Sequence, residues 1–295
     1  MLIIITDDIL KDFSKDLLPA DQNTLIEQII SSHLMGFHFV YGSEKALKYL
    51  SVSKKLSQGT RAIYNYIYNN RSTFEPNIIK LQKKVIISNE VQTILSKTDG
   101  IYINLSYLSR LNILEKFKLI SEDIDDCTFY FSIADNLIKR DSKLIKLSYD
   151  PINGGGDRTK RNFFDRAISH QNISYTILDS DKKFDKDVEG ETSRKVIRLY
   201  ERFKNKIIST IYVLDVHEKE NLIPSSIYSC FNGDKGVSTI LSEISRIPEL
   251  IHYLKFLDLK EGLHSVNYNP YYDNLIKYLF ENSFVGESFS TFENT

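Results

Sequence analysis

Short apolar runs alternate with segments of helical spacing along this chain of 295 residues. Residues 2–6 and 37–42 are β-branched and aromatic runs of strand length, and residues 85–88 and 101–106 repeat the pattern. Between the first two runs, apolar residues at three- and four-residue steps predict a helix over residues 20–34. Helices that alternate with short buried strands predict a parallel sheet covered by helices.

A second series of the same kind begins near residue 117. It predicts an α/β chain with a helix-covered parallel sheet in its C-terminal half, an N-terminal α/β domain and a helical C-terminal cap. The apolar run 129–134 predicts that the first helix of this series is buried. The predicted strands are 118–121, 144–149, 173–179 and 207–215, and the predicted helices are 128–137, 159–169 and 193–203, with further helical spacing over 238–257. The predicted domains are an N-terminal domain for recognition or as a scaffold (1–115), the stretch with the second series of strands (116–224) and the helical cap (225–295).

Composition narrows the setting of the protein and the kind of partner. The formal net charge is −1, so any nucleic-acid binding must come from local basic clusters or from a metal ion. Two cysteines give no disulfide framework, which favours a reducing cytoplasm. The longest apolar runs span about six residues, against roughly 20 for a membrane span, and the N-terminus lacks the basic region of a signal peptide. We therefore expect a cytoplasmic protein with no membrane partner.

Carboxylates collect where these predicted strands end. Glu122 and Asp126 follow the run 118–121, Asp179 and Asp181 follow the run 173–179, and Glu220 follows the run 207–215. Two aspartates at i and i+2 on an extended strand end point to the same side. Acids that converge repel one another unless a cation lies between them. Because all these ligands are oxygens, the sequence predicts Mg²⁺ or Mn²⁺ at the strand ends.

A triple glycine, Gly154, Gly155 and Gly156, lies between a predicted strand and a predicted helix. Glycines in such a turn let backbone N–H groups approach a phosphate, and a flexible strand-to-helix turn explains them equally well. Arg158 and Lys160 follow the turn, and Lys182 follows the second aspartate. We expect these six residues to contact a nucleic-acid backbone: Gly154, Gly155, Gly156, Arg158, Lys160 and Lys182. The spacing matches neither a P-loop nor a dinucleotide fingerprint.

The order glutamate, glycine turn, Asp-x-Asp, glutamate resembles the TOPRIM fold of topoisomerases, primases and OLD-type nucleases. The resemblance covers roughly residues 117–224. It extends toward residue 265 because FLDLKEGLHS (256–265) is similar to an Asp-Leu-Lys-x-Gly segment of defence-associated TOPRIM-like proteins. The family often has glycine after its first glutamate, where this chain has Asp123. No zinc motif, primase core or obvious tyrosine nucleophile is present, which favours the nucleases.

The resemblance implies Mg²⁺- or Mn²⁺-dependent cleavage of phosphodiester bonds in DNA or RNA, including tRNA. One metal ion would activate water and a second would stabilise the leaving oxygen. The implied metal ligands are Glu122, Asp126, Asp179, Asp181 and Glu220, and the implied catalytic residues are Glu122, Asp179, Asp181 and Lys260. Glu218 is a second candidate for the last ligand. His217 either carries a proton during the reaction or simply forms a hydrogen bond within its loop.

Several alternatives stay open. Nucleases of this kind often act with an ABC-type ATPase in bacterial anti-phage systems, and since no Walker motif occurs here, that ATPase would be a separate polypeptide. A homo-oligomer is also open. Lys260 can instead end a helix capped by Gly262. The chain can be a non-catalytic TOPRIM-like subunit. Finally, Asp7 and Asp8 after the first strand can belong to a PIN-like ribonuclease, although helix caps explain them equally well.

Overall fold

The computed structural model describes residues 1–11, 20–80, 84–111, 114–141, 148–156, 158–231, 235–260 and 269–284. Contacts divide the chain into two compact units. The first unit comprises Met1–Ile177 and Lys195–Tyr212, and the second comprises Leu178–Arg194 and Val213–Thr295. The three domains predicted from the sequence were drawn from the order of strands and helices along the chain, whereas these two units are drawn from contacts. The three-domain division therefore stays a prediction.

A five-stranded sheet forms the first part of the first unit, in the order β2-β1-β3-β5-β4. All neighbours pair in parallel except β4, which forms an antiparallel hairpin with β5. Ile3 lies opposite Val40 on one side and Val85 on the other, and Ile3 and Val40 are fully buried. The strands are β1 (Leu2–Ile5), β2 (Phe39–Gly42), β3 (Val85–Ile87), β4 (Ile94–Lys97) and β5 (Gly100–Ile103).

Helices cover this sheet and meet it through apolar faces. Side-chain hydroxyls cap two of them, since Ser43 accepts a hydrogen bond from the Ala46 N–H and Ser57 accepts one from the Thr60 N–H. The sequence predicted β1, β2, β3, β5 and α1, but not β4 or α4, and α4 contains Pro76, which disfavours helix. The helices are α1 (Ala20–Leu34), α2 (Glu44–Val52), α3 (Gln58–Asn69) and α4 (Arg71–Lys80), with 3₁₀ turns at Asp7–Ile9 and Leu105–Arg110.

A second sheet has four strands in the order β7-β6-β8-β9, and β6 runs parallel to both β7 and β8. The sheets are therefore mostly parallel and helix-covered, which confirms the α/β class; the TOPRIM-like refinement of that class is a proposal. The strands are β6 (Phe117–Ser121), β7 (Tyr149–Asn153), β8 (Ser174–Leu178) and β9 (Ser209–Val213). The helices are α5 (Ile124–Asp141), α6 (Arg158–Phe163), which continues as a π-helix over Phe164–Ser169, and α7 (Glu191–Phe203).

Two predictions for this part need correction. The strand predicted over 144–149 is found at Tyr149–Asn153, and residues 144–147 lie outside the described residues. Helix α5 forms, but it is not a buried helix, since none of residues 128–140 is buried and Ile133 is 44% exposed. One side of α5 meets β6 and β7, where Phe131 stacks on Tyr149 with ring centroids 3.9 Å apart.

The later helices belong to the second unit and share an apolar core that includes Leu241, Ile244 and Leu275. Helical spacing was predicted over 238–257, and the α-helix within it ends at Arg246, since Pro248 disfavours helical geometry in the residue before it. Among the residues that the structure describes, no helix is long and apolar enough to cross a membrane. The elements are α8 (Ser225–Phe231), α9 (Lys235–Arg246) and α10 (Asp273–Glu281), with 3₁₀ turns at Lys219–Leu222, Ile251–Lys255 and Pro270–Tyr272.

Candidate functional site

The turn after β6, in the first unit, is built as a helix start. Asp123 Oδ1 accepts hydrogen bonds from the N–H groups of Ile124 and Asp125, and Asp126 Oδ2 accepts one from the Asp123 N–H at 3.0 Å. Asp123 thus satisfies backbone N–H groups of the first turn of α5, and Asp126 satisfies the Asp123 N–H in return. Asp126 is buried with one oxygen used by the cap, while Glu122 is half-buried.

The triple glycine closes against the end of β6. The Gly154 N–H donates to the Ser121 carbonyl at 2.6 Å, and the Gly155 N–H donates to the Glu122 carbonyl at 2.7 Å. A Cβ atom on Gly154 would lie 2.4 Å from the Ser121 oxygen, so only glycine fits. Gly155 and Gly156 have φ values of 63° and 60°. The Gly154 and Gly155 amides thus already donate to the protein, and the expectation that the three glycines contact a nucleic-acid backbone stays a prediction.

The basic residues predicted to contact nucleic acid differ in how free they are. Arg158 and Lys160 are exposed at the start of α6 in the first unit. Lys182, in the second unit, is half-buried and its ammonium lies 3.1 Å from a carboxylate oxygen of Glu189. Arg158 and Lys160 therefore remain the more accessible cations of the predicted set.

The Asp-x-Asp after β8 adopts a turn instead of an extended strand. Strand β8 ends before Asp179, Ser180 is buried and donates to the Val216 carbonyl at 2.6 Å, and Asp181 has a left-handed backbone with φ 54°. The prediction that Asp179 and Asp181 point to the same side rests on extended backbone, and that premise is wrong at Asp181. Asp179 is half-buried, whereas Asp181 is exposed.

The side chain of Asp181 folds back toward the next helix. A Cβ atom on Gly190 would clash with the Asp181 side chain, whose own Cβ lies 2.7 Å from that position, so glycine leaves the room that this side chain occupies. The N–H groups of Ser180 and Asp181 both donate to the His217 carbonyl, at 3.1 and 2.9 Å. These bonds fix the loop after β8 against the loop after β9 within the second unit.

The loop after β9 supplies two glutamates to a lysine. The Lys260 ammonium donates a hydrogen bond to Glu218 Oε2 and lies 3.5 Å from Glu220 Oε2. Lys260 lies in a turn beyond the 3₁₀ turn Ile251–Lys255, so the alternative that it ends a helix is wrong; Gly262, the proposed cap, lies outside the described residues. The structure thus gives Glu218, which sequence reasoning ranked below Glu220, the closer contact with the predicted catalytic lysine.

The clustered acids of this loop shift the pKa values of Glu218 and Lys260. Burial raises the pKa of Glu218 above its ordinary value, although Lys260 opposes that rise. Burial alone would lower the pKa of Lys260, but the hydrogen bond and charge of Glu218, with the charges of Glu220 and Asp179, raise it above its ordinary value. Three carboxylates of the second unit therefore act on one ammonium group, which leaves an excess of negative charge.

Glu218 and Asn221 form the capping box of the 3₁₀ turn Lys219–Leu222, and Oε1 of Glu218 is the oxygen for which the described residues show no hydrogen bond. The Glu218 side chain is 9% exposed. Its Oε2 atom bonds Lys260, whereas no hydrogen bond from the described residues reaches its buried Oε1 atom. A buried carboxylate oxygen without a donor is costly, and such atoms in native proteins often face a water molecule or an ion.

His217 and Asp258 complete a group with Glu218. The three side chains each offer one ligand atom, and these atoms lie within 4.8 Å of one another. His217 Nδ1 lies 2.8 Å from the Lys182 carbonyl, which can only accept, and His217 Nε2 lies 3.9 Å from Asp258 Oδ2. Sequence reasoning missed Asp258, because only its place two residues before Lys260 in the motif could have drawn attention to it.

The N-terminal acids have a different environment. Asp8 accepts hydrogen bonds from the Ser88 hydroxyl at 2.9 Å, from the Asn89 N–H and from the Thr6 hydroxyl, and Asp7 accepts one from a serine hydroxyl. Both line a cavity of 650 Å³ at the carboxyl ends of β1 and β3. Neutral donors already satisfy Asp8, which favours a structural role over the metal site of a PIN-like ribonuclease.

Comparisons of the chain with protein-family models, with curated proteins and with solved structures find no match.

Proposed function

We propose that this protein is a Mg²⁺- or Mn²⁺-dependent nuclease that resembles the TOPRIM nucleases of the OLD kind and cleaves phosphodiester bonds of DNA or RNA. The observation that carries the proposal is the set of carboxylates from Asp179, Glu218 and Glu220 acting on Lys260 in the second unit. Following the resemblance, the protein would be an effector of bacterial anti-phage defence that works with a separate ABC-type ATPase.

The donor set fits a hard divalent cation. Asp179, Glu218 and Glu220 offer carboxylate oxygens, and Glu218 keeps one buried oxygen that the described residues leave unbonded. These residues would hold the ion, and Glu122, Asp126 and Asp181 stay predicted ligands. When bound, such an ion lowers the pKa of a water molecule and neutralises charge on phosphate.

Lys260 gives this site a fixed positive charge. Its raised pKa keeps the ammonium protonated at neutral pH, and its Nζ atom contacts the same glutamates that would hold the ion. An ammonium in this position stabilises negative charge that develops on a phosphate oxygen during cleavage. Arg158 and Lys160, both exposed, would hold the nucleic-acid backbone by charge.

Cleavage of a mixed substrate panel tests the proposal. Plasmid DNA, single-stranded DNA and tRNA are incubated with Mg²⁺ or Mn²⁺ and with the wild type, Asp179→Ala or Glu218→Gln. We expect one substrate class to be cut and both variants to lose at least about 100-fold in rate, as when a preorganised charge is removed from an active site. Asp185→Asn, an exposed acid in the same loop as Asp179, is the matched control and should cut normally.

The same panel separates the alternatives. Cleavage that survives Asp179→Ala but fails in Asp7→Ala would replace the proposal with the PIN-like ribonuclease. If the wild type cuts nothing, alone or with an ATPase co-purified from its native host, the chain is a non-catalytic subunit. Glu122→Gln tests the predicted ligand of the first unit, and unchanged cleavage in that variant would remove Glu122 from the site.

A further inference from the structure

His217, Glu218 and Asp258 form a group whose chemistry is more specific than a cluster of acids. Each contributes one ligand atom, and the three atoms lie within 4.8 Å of one another in the second unit. His217 and Glu218 are buried, whereas Asp258 is half-buried. An imidazole nitrogen beside two carboxylates is a donor set typical of transition-metal sites.

The hydrogen bonding of His217 fixes which ring nitrogen can bind an ion. Its Nδ1 atom faces the Lys182 carbonyl at 2.8 Å, and because a carbonyl accepts only, Nδ1 carries the proton of the neutral ring. Nε2 then presents a lone pair toward Asp258 Oδ2, 3.9 Å away. A histidine that ligates a metal commonly donates its other N–H to a backbone carbonyl in this way.

A positive charge between Nε2 and Asp258 Oδ2 would stabilise both atoms, and a bound cation or a proton on Nε2 supplies it. The Glu218 side chain is 9% exposed, and the described residues give its Oε1 atom no hydrogen bond. Lys260 is committed to Oε2 of the same carboxylate. A buried oxygen without a donor is the second, independent sign of a ligand here.

We propose that His217, Glu218 and Asp258 bind a divalent transition-metal ion, and that this site prefers Mn²⁺ to Mg²⁺. The imidazole sets the preference, because Mg²⁺ takes oxygen ligands whereas nitrogen ligands suit first-row transition metals, of which Mn²⁺ is the one that the nuclease proposal names. The inference specifies the cation of the loop on which the proposed nuclease function rests. The experiment measures metal binding and not cleavage. The metal site can therefore be disproved while the nuclease proposal stands, and the nuclease proposal can be disproved while the metal site stands.

Titration of the full-length, metal-free protein with Mn²⁺, followed by the electron paramagnetic resonance signal of free Mn²⁺, is the first experiment. We expect a bound equivalent that Asp258→Asn and His217→Gln each weaken by at least about tenfold, as expected when a ligand contact is lost. Mg²⁺ should compete at least about tenfold less well than Mn²⁺. Glu249→Gln and His252→Gln, exposed residues of the same unit, are matched controls that should bind like wild type.

Electron spin-echo measurements on bound Mn²⁺ add a readout that a merely structural histidine would not change. Coupling to a ring nitrogen should be present in the wild type and in Asp258→Asn at saturating Mn²⁺, and absent in His217→Gln. Failure of the wild type to bind Mn²⁺, bound Mn²⁺ without nitrogen coupling, or binding that neither variant weakens would each overturn the inference. Circular dichroism of each variant confirms that it is folded.

Failure of this inference is distinguishable from failure of the nuclease proposal. Bound Mn²⁺ with nitrogen coupling but no cleavage of any substrate would support the site and remove the nuclease. Cleavage that depends on Asp179 and Glu218, with Mn²⁺ binding that ignores His217, would keep the nuclease and remove this site.

Discussion

Each unit of the molecule contains a lysine between two carboxylates, and the two arrangements are inverted. In the first unit, Lys118 lies 3.2 Å from Glu115 and 2.8 Å from Asp150; its side chain is 11% exposed, whereas the acids are 42% and 46% exposed. In the second unit, the side chain of Lys260 is 56% exposed, whereas Glu218 and Glu220 are 9% and 21% exposed. One cluster buries the cation and the other buries the anions.

The first cluster is an ion pair between the neighbouring strands β6 and β7, whereas the second lies where the proposed metal ion would bind. The acids around Lys118 reach water, so they remain hydrated whatever happens to the lysine. Glu218 is buried, and the cost of burying its charge is offset by an ammonium that itself reaches solvent. Under the proposed metal binding, an ion would take over that compensation from Lys260.

The largest expected effect is that of Lys260→Ala. Without a divalent ion, we expect a loss of about 2 kcal/mol in the free energy of unfolding, less than for a fully buried pair because Lys260 reaches solvent. Mn²⁺ should restore most of that loss, because an ion that binds only the folded state stabilises it. Urea unfolding of wild type and Lys260→Ala, once with a metal chelator and once with added Mn²⁺, measures the loss and its recovery.

Lys277→Ala is the control, since Lys277 is an exposed lysine of α10 that pairs with Glu281 at 3.9 Å. It should change stability by less than about 0.5 kcal/mol and should be indifferent to Mn²⁺. Equal losses in the two variants would break the comparison, because they would show that the buried acids do not depend on their lysine.

The next prediction couples Lys260 to Glu218. In the Lys260→Ala background, Glu218→Gln should recover about 1 kcal/mol, because the neutral amide no longer buries an uncompensated charge. A double-mutant cycle by urea unfolding in chelator measures this coupling. Purely additive losses would contradict it, and they would place the unfavourable charge on Glu220 instead.

The strands and helices were largely readable from the sequence, because buried apolar runs and helical spacing are local signals. Helix α1 matches its predicted bounds, and β1, β3 and β8 lie within the predicted runs. Helix α4 and strand β4 were not predicted, because α4 contains Pro76 and only Ile94 of β4 is buried. The buried-helix prediction for α5 failed because apolar composition does not say how many elements cover a helix.

The candidate site was less readable, because its geometry depends on backbone turns that apolar patterns do not encode. The sequence indicated Lys260 and Glu220, whose Nζ and Oε2 atoms lie 3.5 Å apart. It did not indicate the left-handed backbone of Asp181, nor Asp258 beside His217. Nor could it reveal that the Gly154 and Gly155 amides are used by β6, since those bonds depend on strand register.

Lys118→Met should have a smaller effect than Lys260→Ala. Removing a buried ammonium removes its own desolvation cost, and Glu115 and Asp150 can hydrate, so we expect a change within about 1 kcal/mol in either direction. Thermal unfolding and urea unfolding measure it, and Mn²⁺ should leave the value unchanged. A loss larger than that of Lys260→Ala would reverse the order on which the comparison rests.

The smallest expected effect is a pH dependence of the Lys118 cluster. Burial would lower the pKa of Lys118, but its hydrogen bonds to Asp150 and Glu115 raise it above the ordinary value of 10.5. A folded-state pKa above the unfolded one contributes stability that is complete below pH 10.5 and is lost as the pH rises through the folded value. The stability difference between wild type and Lys118→Met should therefore be constant from pH 7 to about pH 9.5 and shift against the wild type above about pH 10.5, by less than about 1 kcal/mol.

Urea unfolding of both proteins at these pH values measures the difference, in which the titration of the other lysines and tyrosines cancels. A difference that stays constant up to pH 11.5 would mean that the two acids do not hold the charged lysine, and the first cluster would then owe its place to packing of the Lys118 side-chain methylenes instead of charge.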